Sequence, residues 1–191
     1  RERLDGAWGV VDVIDCATGA AAMAAAGRAD AQRLAIRGGS AGGFTTLAGL
    51  AFTDTFAAGT SRYGIGDLAA LAAETHKFEA RYLDRLVGPY PEDEAVYAER
   101  SPLGHVDGIT SPVLLLQGSE DRVVPPAQST GMAAALRERG VPIAYVEFAG
   151  EGHGFRSADA ITLALETELA FYGQVLGFDV ADDVPDVDLG R

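Results

Sequence analysis

Leu34-Ala35-Ile36-Arg37-Gly38-Gly39-Ser40-Ala41-Gly42 is the stretch that decides the fold. Leu34 to Arg37, opening on the apolar run Leu34-Ala35-Ile36, reads as a short buried strand, and Phe44 to Phe52 beyond it as a helix. Between them stands a serine flanked by glycines. A turn that sharp forces the serine into a strained backbone conformation and pushes its hydroxyl outward. Only glycines let the neighbouring backbone pass so close. This is the layout of a nucleophile elbow with Ser40 at its tip.

Outward from the elbow, strands and helices alternate. Phe56 to Thr60 reads as a second strand, and Tyr63 to Asp67 as a loop entering a helix over Leu68 to Glu74. Pro112-Val113-Leu114-Leu115-Leu116-Gln117-Gly118 is the clearest strand, a continuous apolar run as expected for a strand covered on both faces. A helix from Ala127 to Arg139 ends at Gly140, Ile143 to Phe148 is a fourth strand, and Ile161 to Leu176 a closing amphipathic helix. Upstream, Trp8, Val11, Ile14 and Asp15 fall at spacings of three and four. They predict an amphipathic helix, continued by Ala20 to Ala29 with Gly19 and Gly27 as break points. Residues 76–104 read as an insertion of short helices around Gly88-Pro89-Tyr90-Pro91. Such alternation predicts an α/β fold, a parallel sheet with helices on both faces and its chemistry at the carboxyl ends of the strands.

The 191 residues fit one domain with a real core, expected over residues 1–178. The tail, 179–191, holds five aspartates and little apolar material, and is expected to be frayed or disordered. A net charge of −13 argues against nucleic acid or an anionic membrane surface as partner. No apolar run is long enough to span a bilayer. The single cysteine, Cys16, has no internal disulfide partner and reads as a small core residue, compatible with a cytoplasmic setting. With no initiator methionine and helical character from the first residues, the chain reads as a piece of a longer protein.

A serine hydroxyl needs a base to be nucleophilic at neutral pH, and the base needs an orienting acid. In strand–turn–helix hydrolases the order along the chain is serine, acid, histidine. Of the three histidines, His76 and His105 precede any acid that ends a strand. His153 follows the fourth strand inside Gly150-Glu151-Gly152-His153-Gly154-Phe155, where glycines free the backbone to return the imidazole over the sheet edge. The acid follows the third strand, as Glu120 or Asp121. Either also reads as a turn or capping carboxylate. The oxyanion of a tetrahedral intermediate needs two donors. One is the N–H of Ala41, and the second normally comes from a loop after an earlier strand, which this sequence lacks. Glu74, His76 and Glu79 do not have the spacing of a metal-ligand set and read as a solvated helix face.

Taken together these words resemble the C-terminal catalytic part of a prolyl oligopeptidase family serine peptidase, nearest the acylaminoacyl-peptidase and dipeptidyl-aminopeptidase-like branch. The matching words are Trp8-Gly9-Val10-Val11-Asp12, Gly38-Gly39-Ser40-Ala41-Gly42-Gly43, Tyr63-Gly64-Ile65, Ser101-Pro102, Ser111 to Gly118 with Asp121 and Val124-Pro125, and Glu151-Gly152-His153-Gly154-Phe155. The resemblance implies a partial α/β-hydrolase fold and a Ser40–Asp121–His153 triad, selecting Asp121 over Glu120. It also implies no metal or cofactor, and oligopeptide substrates cleaved through an acyl-enzyme. The family's N-terminal β-propeller and first half of the hydrolase domain have no counterpart in the sequence. Their absence leaves the nucleophile strand with an unpaired edge, open to a homo-oligomer or aggregation. An isolated chain of this length is therefore expected to be poorly active. The alternatives are a carboxylesterase or thioesterase with the same triad, and a catalytically inert hydrolase-like binding module.

Overall fold

The computed structural model describes residues 2–74 and 82–190. After a 3-10 turn at Glu2–Leu4 the elements run α1 (Val11–Ala25), β1 (Ala35–Gly39), α2 (Ala41–Phe52), β2 (Ala58–Arg62), α3 (Leu68–Glu74), α4 (Tyr82–Leu86) and α5 (Glu94–Arg100). A 3-10 segment, Pro102–Gly108, leads to β3 (Val113–Gly118), α6 (Pro126–Glu138), β4 (Ile143–Phe148) and α7 (Ala158–Leu176). The four strands form one parallel sheet in the order β1-β2-β3-β4. This is the C-terminal arrangement of an α/β-hydrolase sheet, as expected.

Every residue of β3 is buried. Its side chains alternate between two cores. Val113 and Leu115 pack with Leu47, Leu50, Met132 and Leu136 from α2 and α6, and with Ala17 of α1. Leu114 and Leu116 pack on the opposite face with Ala160, Ala164 and Phe171 of α7. A third cluster gathers Trp8, Phe44, Ile65, Leu68, Leu83 and Tyr97 beneath the carboxyl end of the sheet. It is built from the chain start, α2 and the short helices, so the described part of the segment read as an insertion packs beneath the site through Leu83, Val87 and Tyr97.

Among the described residues β1 pairs only with β2. Leu34 accepts from Ala57 N–H, and Ser40 N–H donates to Arg62. Even-numbered residues therefore bond to β2, and the N–H and C=O groups of Ala35 and Arg37 face the open edge. The outer edge of β4 is covered in part, because Ile143 N–H donates to the Leu189 carbonyl at 3.1 Å.

Several sequence expectations need correction. The tail has no regular structure, but its end is docked rather than frayed: Leu189 is 5% exposed and packs with Phe148 and Ala164. Two of its apolar residues, Val187 and Leu189, are spaced to enter the α7 face together. Cys16 is exposed, because α1 buries Val13 and Ala17 and turns Cys16 to solvent. Ile14 is likewise 53% exposed. Trp8 is buried but precedes the helix, separated from it by Gly9 at a φ of +84°. Gly19 lies inside α1 without breaking it, and Gly27, at φ +68°, follows the helix end. β1 and β2 each run two residues further toward the site than the apolar runs alone indicated.

Candidate active site

Ser40 lies between β1 and α2 with φ 57° and ψ −121°, one of two non-glycine residues at positive φ in the described chain. The strain is held by its surroundings. Ser40 N–H donates to the Arg62 carbonyl at 3.0 Å, and a Cβ at Gly38 would collide with the carbonyl of Gly42. Only glycine fits at that point of the elbow. Ala41 is the first residue of α2, directly after Ser40, so its N–H has no intrahelical acceptor.

His153 Nε2 is 2.7 Å from Ser40 Oγ, and His153 Nδ1 is 2.8 Å from Asp121 Oδ2. The structure thus brings together the three residues that the sequence reading named. The other Asp121 oxygen, Oδ1, accepts from the N–H groups of Val123 and Val124, each at 2.9 Å. Burial alone would raise the Asp121 pKa. The hydrogen bonds from His153, Val124 and Val123 outweigh it and hold the carboxyl below its ordinary value. Glu120 is exposed, and its N–H donates to the Glu151 carbonyl. Asp121 is the one acid of the pair that faces the imidazole.

The histidine loop is tied down on both sides. A Cβ at Gly118 would collide with the carbonyls of Glu151 and Gly152, so the end of β3 touches the loop directly. Ser119 N–H donates to Phe148 and Gly150 N–H to the Ser119 hydroxyl. The Glu151 carboxylate accepts from Arg156 N–H at 2.7 Å and Ser157 N–H at 3.0 Å, closing the loop around His153. Tyr63 presents its ring edge-on to His153 at 4.9 Å and to Phe155 at 5.4 Å, forming a wall for the imidazole.

A cavity of about 190 Å³ opens beside Ser40 and Ala41. Its walls include Trp8, Ile65, Leu71, Leu83, Val123 and Val124, none of them charged. Ile65, Val123 and Val124 adjoin active-site words in the sequence. Trp8, Leu71 and Leu83 come from distant segments, and only the tryptophan in Trp8-Gly9-Val10-Val11-Asp12 gave a signal. Phe44 is fully buried core, its ring tilted against Trp8 with centres 4.4 Å apart. His105 packs against Phe52, away from the triad. His76, Glu79 and the side chain of Glu74 lie outside the described residues. Among the described residues no group of three or more His, Cys, Asp or Glu could hold a metal ion, and no helix is long and apolar enough to cross a membrane.

Residues 1–179 match the prolyl oligopeptidase family of peptidases. The chain belongs to this family. A curated member similar to it is dipeptidyl aminopeptidase BIII of Pseudoxanthomonas mexicana, 35% identical over 152 residues, which cover 76% of this chain and 22% of that protein. Among solved structures, a Mycobacterium tuberculosis puromycin-hydrolyzing peptidase is 54% identical with a TM-score of 0.95, covering 98% of this chain and 29% of that one. A puromycin hydrolase is 51% identical with a TM-score of 0.96, covering all of this chain and 29% of that one. The chain therefore spans between about a fifth and a third of the length of these family members.

Proposed function

We propose that these residues are the C-terminal part of the catalytic domain of a serine peptidase, spanning 1–178, with Ser40 as nucleophile, His153 as general base and Asp121 as its orienting acid. The observation that carries this reading is the unbroken hydrogen-bonded line from Ser40 Oγ through His153 to Asp121 Oδ2. Asp121 holds the proton of the ring on Nδ1, which leaves the Nε2 lone pair facing the serine. In the proposed reaction Ser40 Oγ attacks the substrate carbonyl as His153 takes its proton. The oxyanion is met by the Ala41 N–H. Collapse expels the amine, which receives the proton from His153, and water then releases the acyl group by the same steps in reverse.

An uncharged, apolar cavity beside the nucleophile suits a peptide or aminoacyl amide with an apolar side chain next to the scissile bond. Puromycin, named for two of the similar structures, belongs in the first substrate panel. A cytoplasmic setting and homo-oligomerisation through the β1 edge complete the reading. They are supported by the lone cysteine and by the outward-facing backbone groups of Ala35 and Arg37.

The test is fluorophosphonate labelling of the full-length protein, alongside turnover of puromycin, aminoacyl anilides and p-nitrophenyl esters. Labelling lost in Ser40→Ala, with anilides and puromycin cleaved, is the expected result. Cleavage of esters alone makes the protein an esterase. An unlabelled Ser40 overturns the catalytic reading and favours an inert binding module.

A further inference from the structure

Gln117, the fifth residue of β3, is fully buried and does not reach the substrate cavity. Its Nε2 lies 3.2 Å from the carbonyl oxygens of Gly118 and Val124 and 3.3 Å from Asp121 Oδ2. Its Oε1 accepts from the hydroxyl of Ser129, 2.7 Å away on α6. Ser129 is itself 3% exposed. The orientation of this amide is determined by its neighbours. Carbonyl oxygens can only accept, so the NH₂ end must face Gly118 and Val124, and the oxygen end must take the Ser129 hydroxyl.

Asp121 Oδ2, the oxygen that faces His153 Nδ1, therefore has a second donor. Oδ1 is occupied by Val123 and Val124. With both oxygens engaged, the carboxylate cannot pivot about its Cβ–Cγ bond without breaking a buried hydrogen bond, and each such loss is unfavourable. Val124 takes part twice, since its N–H donates to Asp121 and its carbonyl accepts from Gln117. It also lines the cavity. One buried amide thus sets both the catalytic acid and a wall of the site.

We infer that Gln117 is a positioning residue that acts on the reaction through Asp121, and that Ser129 anchors it. The inference rests on the catalytic reading of Ser40, His153 and Asp121. Gln117 fixes which carboxylate oxygen meets the imidazole, and so the angle at which Nε2 faces Ser40. Ser129 satisfies the amide oxygen and holds the side chain in place, while the carbonyls of Gly118 and Val124 and the Asp121 carboxylate keep the amide from flipping.

The experiment uses the full-length protein with an aminoacyl anilide and a fluorophosphonate probe. Labelling of the wild type and its loss in Ser40→Ala are measured first; no labelling there sinks the catalytic reading itself. Gln117→Met, which keeps the length but removes the amide, is expected to lower kcat about 10- to 100-fold with KM within about twofold. Ser129→Ala should reduce kcat in the same direction, and Ser129→Thr, which keeps the hydroxyl, should restore it to within about threefold. Because Gln117→Met leaves buried groups unpaired and can impair folding, the Ser129 pair carries the decision if that variant does not accumulate. Wild-type kcat in Ser129→Ala, or no recovery in a folded Ser129→Thr, overturns the inference. So does a loss that merely tracks the unfolded fraction measured by circular dichroism.

Discussion

Glu168 of α7 pairs with Arg62, whose backbone carbonyl accepts the N–H of Ser40. The same carboxylate oxygen lies 2.9 Å from Arg37 of β1. A single buried acid on the far side of the sheet thus braces the middle of β1 and the end of β2, the two strands that support the elbow. Glu168 is nearly buried, Arg62 partly so, and Arg37 more than half exposed. The Arg62 pair therefore dominates, and the Arg37 pair is weakened by solvent. Removing the acid leaves Arg62 without its charge partner. Glu168→Ala is expected to lower unfolding free energy by about 3 kcal/mol, with Glu168→Gln milder, as measured by urea denaturation.

Asp121→Asn should leave the backbone intact and reduce kcat by about four orders of magnitude, because an amide favours the wrong imidazole tautomer. The pH dependence of stability follows from the lowered pKa of Asp121. Its folded-state value lies below the 3.8 of an ordinary carboxyl, so its contribution is fully present above that value and is lost as pH falls through the folded-state pKa. Urea unfolding of wild type and Asp121→Asn should therefore differ by a constant amount at neutral pH and converge in acid.

Val123 stands at the cavity rim, 44% exposed. Val123→Phe should narrow the cavity without a large effect on folding. Relative to an alanyl anilide, kcat/KM for a phenylalanyl anilide is expected to fall about tenfold or more. Equal losses on both substrates would place the side-chain pocket elsewhere.

Tyr97 is fully buried and donates its hydroxyl to the Gly88 carbonyl at 2.8 Å. Burial, followed by the charges of Asp84 and Asp93, pushes its pKa from 10.0 to about 12. A raised acid of this kind stabilises the fold fully below the unfolded value of 10.0, and the contribution is lost as pH rises through about 12. Tyr97→Phe should remove one late step from the tyrosinate absorbance titration and flatten the alkaline fall in stability.

The fold and the convergence of Ser40, Asp121 and His153 were legible because their signals are local. β3 is an uninterrupted apolar run, β4 matched its apolar segment residue for residue, and the elbow is written in consecutive small residues. His153 could be reached by elimination among three histidines. Choosing Asp121 over Glu120 took a family resemblance, because adjacent carboxylates differ only in where the loop points them. The cavity walls at Leu71 and Leu83 were not legible, since nothing local separates a lining leucine from a core one. The docked tail was missed for a related reason. Five aspartates dominated the composition, while Leu189 needs a receptive surface on α7 to show its role. Gln117 stood in a quoted motif, but its bonds run to Val124 and to Ser129, outside its own strand.

The sheet adds its strands in sequence order, and this sets a timetable for synthesis. Ser40 leaves the ribosome 113 residues ahead of His153. At about 5–20 residues per second, Ser40 stands for about 6–23 seconds without His153 beside it. β4 must dock on β3 before the imidazole can reach over the elbow. On the proposed reading, the nucleophile therefore stays unarmed until β4 has docked on β3.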